Sequence, residues 1–139
     1  MNKSEKNIYT KDQINLTKKL HNEVERNHDL WHEHIKSWEE IVGTSFYVDL
    51  SYFARLIIYS IMNNDEKKAK RILDKIEIFL QDSNEESQNI IYLFFEDITN
   101  SLGWGDKKYM NKFVSLLGPH SRGCCKELDN FWGTSTPGL

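Results

Sequence analysis

The stretch "FYVDLSYFARLIIYSIM", from Phe46 to Met62, decides the fold because it is apolar on nearly every side of a helix. A run of this kind is either a membrane span or a helix buried among others. It is shorter than the ~20 residues that a bilayer requires, and it carries Asp49 and Arg55. We therefore expect a buried helix at the centre of a bundle, and no association with a membrane.

The sequence on either side of this stretch carries repeated signals for the start and end of helices. "TKDQ" at 10–13 and "SNEE" at 83–86 have the spacing of a capping box, in which a hydroxyl and a Glu or Gln cap the first turn. Another helix opens on Asn64 or Asp65, and "DKKYMNKFVSLLG" forms a shorter one. No alternating run rich in Val, Ile and Thr competes with these helices. The sequence predicts an all-α fold, a compact bundle of about six or seven helices.

The stretch "SLLGPHSRGCCKELDNFWG", residues 115–133, combines a Gly-Pro break with residues that occur in active sites. These residues can also mark the end of one helix and the start of the next. Gly118 can end one helix in the left-handed conformation, Pro119 can start the next, and Ser121 can cap it. Apolar positions then keep helical spacing until Gly133. We interpret this stretch as the corner between two helices.

Length and composition indicate one ordinary globular domain. The chain has 139 residues, of which 39% are apolar and 28% charged, with a net charge of −3. We assign 1–133 to a single helical domain and 134–139 to a flexible C-terminal tail. No apolar stretch follows the opening "MNKSEKNIYT", so we expect a cytoplasmic protein.

The two cysteines, Cys124 and Cys125, are adjacent in the sequence. Neighbours in a helix point about 100° apart, which does not allow a disulfide between them without strain. No other cysteine is available for a metal-binding or redox pair. We expect both thiols to have a packing role.

The segment "HNEVERNHDLWHEH" is the one place where metal ligands cluster in the sequence. In one continuous helix, His21, Glu25, His28 and His32 would share a face. A break at Asn27–Asp29 would separate them, so we predict no metal site and no cofactor. A metal-binding regulator or metal-dependent enzyme is the alternative that these histidines leave open. No phosphate-binding loop or catalytic triad can be assembled, and we expect no enzymatic activity.

The charge distribution points to a basic partner. Residues 82–106 contain six acidic and no basic side chains. Acidic surfaces speed the encounter with basic proteins, and aromatic side chains supply contact area. In "GWGD", two glycines place a tryptophan in a loop. The predicted partner-binding residues are Glu85, Glu86, Tyr92, Glu96, Asp97, Trp104 and Asp106.

The helix within this acidic window has a clear apolar side. Ile90, Ile91, Phe94, Phe95, Ile98 and Leu102 form an apolar arc, and Glu85, Asn89, Tyr92 and Glu96 lie opposite it. We therefore expect the tyrosine to face solvent within an acidic strip. Direct binding of nucleic acid is not expected, because the segment 64–81, which contains "KKAKRILDK", carries four acidic side chains beside its five basic ones.

Three segments carry a resemblance to a known class of proteins. "FFEDI" (94–98), "FVSLLGPHS" (113–121) and "ELDNFWG" (127–133) resemble small all-helical bacterial immunity proteins of toxin–immunity systems, including the contact-dependent growth inhibition type. The sequence of 63–89 is similar to their HEAT-like helix pairs. The resemblance implies a non-enzymatic inhibitor that binds a cognate toxin domain, often a nuclease. A generic helical adaptor is the other interpretation.

Overall fold

The computed structural model describes residues 11–24 and 46–139 of the chain, and within them it contains helices and no strand. The predicted all-α bundle is confirmed. Six helices pack together in the described part, and a HEAT-like pairing of 63–89 stays a prediction. The helices are α1 (Lys11–Val24), α2 (Phe46–Met62), α3 (Glu66–Asp82), α4 (Glu85–Gly103), α5 (Lys107–Ser115) and α6 (Pro119–Trp132).

Helix α2 lies at the centre, as its sequence predicts. It packs against α1, α3, α4 and α5, while α6 packs against α3 and α4. Phe53, Ile57 and Ile61 have no exposed surface. Fully burying a side chain of this size stabilises a fold by ~1.5–3 kcal/mol, so α2 supplies a large part of the core.

Three of the helices begin with a side-chain cap on the backbone. Asp65 accepts from the N–H of Lys68 at α3, and Asn84 accepts from the N–H of Ser87 at 2.8 Å at α4. Asp106 caps α5 in the same way. The capping box expected to begin at Ser83 is therefore wrong by one residue, because the neighbouring asparagine takes the capping position.

The corner between α5 and α6 differs from the predicted one in the conformation of Gly118 and in the residue that caps α6. Gly118 is not left-handed: its φ is −79°, and it is the residue that precedes α6. Ser121 lies inside the first turn rather than at the cap, and it is fully buried. The cap comes instead from Glu77 of α3. Gly133 ends α6 at the predicted position, and its φ of 68° is left-handed.

The segment 134–139, expected to be a flexible tail, contacts the domain. The Asp129 carboxylate accepts hydrogen bonds from Thr134 and Thr136, one of them from a backbone N–H. Arg122 donates to the carbonyl of Gly138 at 3.1 Å, and a partly buried leucine at position 139 packs against the core. These contacts place the segment along α6.

Among the described residues, no helix is long and apolar enough to cross a membrane.

Candidate functional site

Helix α4 presents its apolar side to the core, as the sequence predicts. Ile91, Phe94, Phe95, Ile98 and Leu102 are buried, and Ile90 is partly buried. Since 82–106 contains no lysine or arginine, all charge that this segment shows to solvent is negative.

The residues expected to bind a partner are spread along the whole helix. Glu85 and Glu86 are exposed in its first turn, whereas Trp104 and Asp106 are exposed beyond its last turn. A rise of 1.5 Å per residue separates Glu85 from Trp104 by roughly 28 Å. The predicted residues at the two ends of α4 are therefore exposed. Those in its middle part, Tyr92, Glu96 and Asp97, are partly buried.

Tyr92 belongs to this middle part: it is partly buried, whereas the sequence predicts that it faces solvent. Its hydroxyl donates a hydrogen bond to the Glu127 carboxylate of α6. Burial raises the pKa of the tyrosine, and the hydrogen bond to Glu127 raises this pKa further. The expected solvent side of α4 is occupied here by α6, so Tyr92 joins two helices of the same domain.

Glu96 also turns towards α6. Its Oε2 accepts a hydrogen bond of 2.9 Å from the indole Nε1 of Trp132. The next residue, Asp97, is half-buried, and its pKa is raised by burial and by the adjacent negative charge of Glu96. The middle of α4 thus holds two neighbouring carboxylates, one of which positions an aromatic ring.

Three aromatic side chains at the C-terminal ends of α4 and α6 are exposed. Trp104 is 92% exposed, Phe131 78% and Trp132 60%. In the sequence, the last two continue the apolar spacing of α6. They lie in its last turn, which is exposed, so periodicity alone did not reveal their exposure.

A groove of about 340 Å³ opens beside Trp132, and the glycines on both sides of Trp104 also line it. It is bounded by α4, α5, the end of α6 and the segment 134–137. Its walls combine apolar and polar side chains, among them Glu96, Asn100, Leu102, Met110, Leu128 and Trp132. The volume is at the lower end of the ~300–1,000 Å³ range of ligand pockets.

Neither cysteine has the environment of a reactive thiol. Cys124 and Cys125 are both buried and unpaired. Burial raises the pKa of Cys124 to about 11, with the Glu127 charge adding to the effect, and burial raises that of Cys125 to about 12. Both thiols stay protonated at neutral pH, in agreement with a packing role.

Several residues considered in the sequence fall outside the description. His21 lies in α1 but its side chain is outside the described residues, as is that of Asp49 in α2. Residues 25–45, which include Glu25, His28 and His32, lie outside them as well. Within the described ranges, no group of histidine, cysteine or carboxylate side chains is arranged to hold a metal ion.

Comparison with known proteins gives one match. The model of a family described as "Domain of unknown function (DUF7674)" matches residues 7–133. No curated protein and no solved structure matches the chain.

Proposed function

We propose that this chain, which belongs to the DUF7674 family, is an immunity protein that binds a cognate bacterial toxin domain and neutralises it by stoichiometric inhibition. One observation carries the proposal. Three exposed aromatic side chains, Trp104, Phe131 and Trp132, lie at the ends of two helices, next to a segment without any basic residue.

This combination of groups favours a protein partner. Tryptophan is enriched among the residues that dominate binding energy at protein interfaces. The carboxylates of 82–106 add negative charge around it, which would speed the encounter with a positively charged surface. The partner that fits is a protein domain with a basic face.

The sequence resemblance supplies the class of that partner. The segments 94–98, 113–121 and 127–133 are similar to helical immunity proteins. The last of them contains Phe131 and Trp132, so the resemblance includes part of the exposed surface. Toxin domains that cleave nucleic acids bind phosphate backbones through basic sites, to which an acidic inhibitor is complementary. A nuclease toxin in the cytoplasm is therefore the proposed target.

The proposal is tested in cells and with purified protein. The gene immediately upstream is expressed in a bacterial host with and without this chain, and growth is recorded. We expect the upstream product to arrest growth, this chain to restore it, and the two purified proteins to form a complex of fixed stoichiometry. An upstream product that is harmless, or that arrests growth equally in the presence of this chain, would contradict the proposal.

A further inference from the structure

The groove between α4 and α6 contains an indole whose orientation is fixed although it is exposed. The Nε1 of Trp132 donates to Glu96, and the ring of Phe131 meets the indole edge-on, with centroids 5.1 Å apart and planes at 89°. Together these two contacts restrain the orientation of the indole. A flat aromatic face is thus held in solvent next to a carboxylate.

Carboxylates outnumber cationic groups around this indole, because Glu96 and Asp129 line the groove together with one lysine, Lys107. Glu96 and Asp97 are adjacent on α4, and the repulsion between them is relieved when a positive group approaches. Both oxygens of Asp129, the other carboxylate of the groove, already accept hydrogen bonds from Thr134 and Thr136. Glu96 accepts the hydrogen bond of Trp132 through Oε2, which leaves Oε1 to receive a cation beside the ring.

We infer that the groove binds an arginine side chain of the protein partner, with its guanidinium stacked on the exposed face of the Trp132 ring and hydrogen-bonded to the Glu96 carboxylate. This inference rests on the proposed function and adds the chemistry of the contact. A guanidinium is planar, so it can stack on the indole and still donate a hydrogen bond to a carboxylate. A lysine ammonium offers only a point charge. A second copy of this chain fits less well, since a symmetric contact would bring Glu96 and Asp97 of both copies together.

The contact can be tested without the toxin by using a small arginine probe. The ¹⁵N-labelled full chain is titrated with the peptide acetyl-Gly-Arg-Gly-amide, and the indole N–H resonance of Trp132 is followed by NMR. Trp132→Phe assigns this resonance. A peptide with citrulline in place of arginine keeps the shape and removes the charge. Glu96→Gln keeps an acceptor for the indole, and Asp74→Asn removes the same charge from the exposed side of α3, outside the predicted partner-binding residues.

We expect the arginine peptide to shift the resonance to saturation, and the citrulline peptide to produce no saturable shift. Glu96→Gln should weaken binding by at least about fivefold, since charge-assisted hydrogen bonds are the stronger ones. Asp74→Asn should leave binding unchanged. The inference is overturned by an unmoved Trp132 resonance, by equal binding to Glu96→Gln, or by a dimer in sedimentation that Trp132→Ala disrupts. If growth protection persists in any of these cases, the groove is rejected while the proposed function stands.

Discussion

Glu77 of α3 and Ser121 of α6 are joined by a 2.9 Å hydrogen bond, in which the backbone N–H of Ser121 donates to the glutamate carboxylate. The other carboxylate oxygen accepts from the backbone N–H of His120 at 3.0 Å and lies 2.7 Å from the Nδ1 of that ring. A helix normally receives such a cap from its own sequence. Here a residue 44 positions away supplies it and fixes α6 on α3.

Removing this carboxylate should destabilise the whole domain. Glu77→Ala leaves two backbone donors of α6 without their acceptor and removes a negative charge from a helix N-terminus. We expect the free energy of unfolding to fall by about 2–3 kcal/mol, measured by urea denaturation. Asp74→Ala is the control on the same helix, because Asp74 makes only an exposed ion pair with Lys70. The control should cost less than about 0.5 kcal/mol, and equal losses in the two variants would contradict the capping role.

Acidification should weaken the same contact. Burial alone would raise the pKa of Glu77, but the hydrogen bonds from Ser121 and His120 outweigh burial and lower this pKa below its usual value of 4.5. A carboxyl with a lowered pKa in the folded state contributes stability above its unfolded pKa and loses it as the pH falls through the folded value. We expect unfolding free energy to decrease below about pH 4.5, with a smaller decrease in Glu77→Gln. Identical pH profiles for the two proteins would reject this assignment.

A methyl group at position 118 should push against the Glu77 side chain and disturb its hydrogen bonds to α6. A Cβ at Gly118 would lie 2.6 Å from the Cδ of Glu77, whose carboxylate cannot move away without losing its hydrogen bonds. Gly118→Ala should therefore lower the unfolding free energy by about 1–3 kcal/mol. Gly123→Ala is the matched change within α6, where nothing lies within 4 Å of the new Cβ. It should stabilise the domain by about 0.5–1 kcal/mol, and thermal melts of both variants would show whether the two changes differ in sign.

The Glu77 contact also shows which kind of feature could not be predicted from the sequence. The all-round apolar sequence of α2 identified it as the central helix, and helical spacing identified the buried side of α4. Both features can be predicted because each depends on a single segment. The cap of α6 depends on a residue of α3, and the burial of Tyr92 depends on α6 lying across α4. Neither follows from spacing within one helix. The sequence correctly identified Trp104 as exposed, since the glycines on both sides of it mark a loop, but it offered no comparable signal for Phe131 and Trp132.

Neutralising the first turn of α4 should slow association with the toxin. Glu85→Gln together with Glu86→Gln removes two exposed negative charges from the segment that lacks basic residues. We expect k_on to fall about three- to tenfold at low salt and to change little at high salt, where charges are screened. Glu66→Gln, in the first turn of α3, is the control. Surface plasmon resonance at two ionic strengths would measure these rates, and an equal effect of the control would indicate a response to net charge alone.

Removing the ring of Trp104 should speed dissociation from the toxin. Its side chain is 92% exposed, so Trp104→Ala should leave the unfolding free energy within about 0.5 kcal/mol of the original chain. If the ring is an interface anchor, its loss costs about 2 kcal/mol of binding, which is roughly a 30-fold weaker Kd. Most of this change should be in k_off, because related complexes differ mainly in dissociation. Tyr59→Ala, which removes an exposed aromatic ring from α2, should alter neither rate. Unchanged dissociation of Trp104→Ala would exclude this ring from the interface and direct the search to the second acidic segment, with Glu33, Glu39, Glu40 and Asp49.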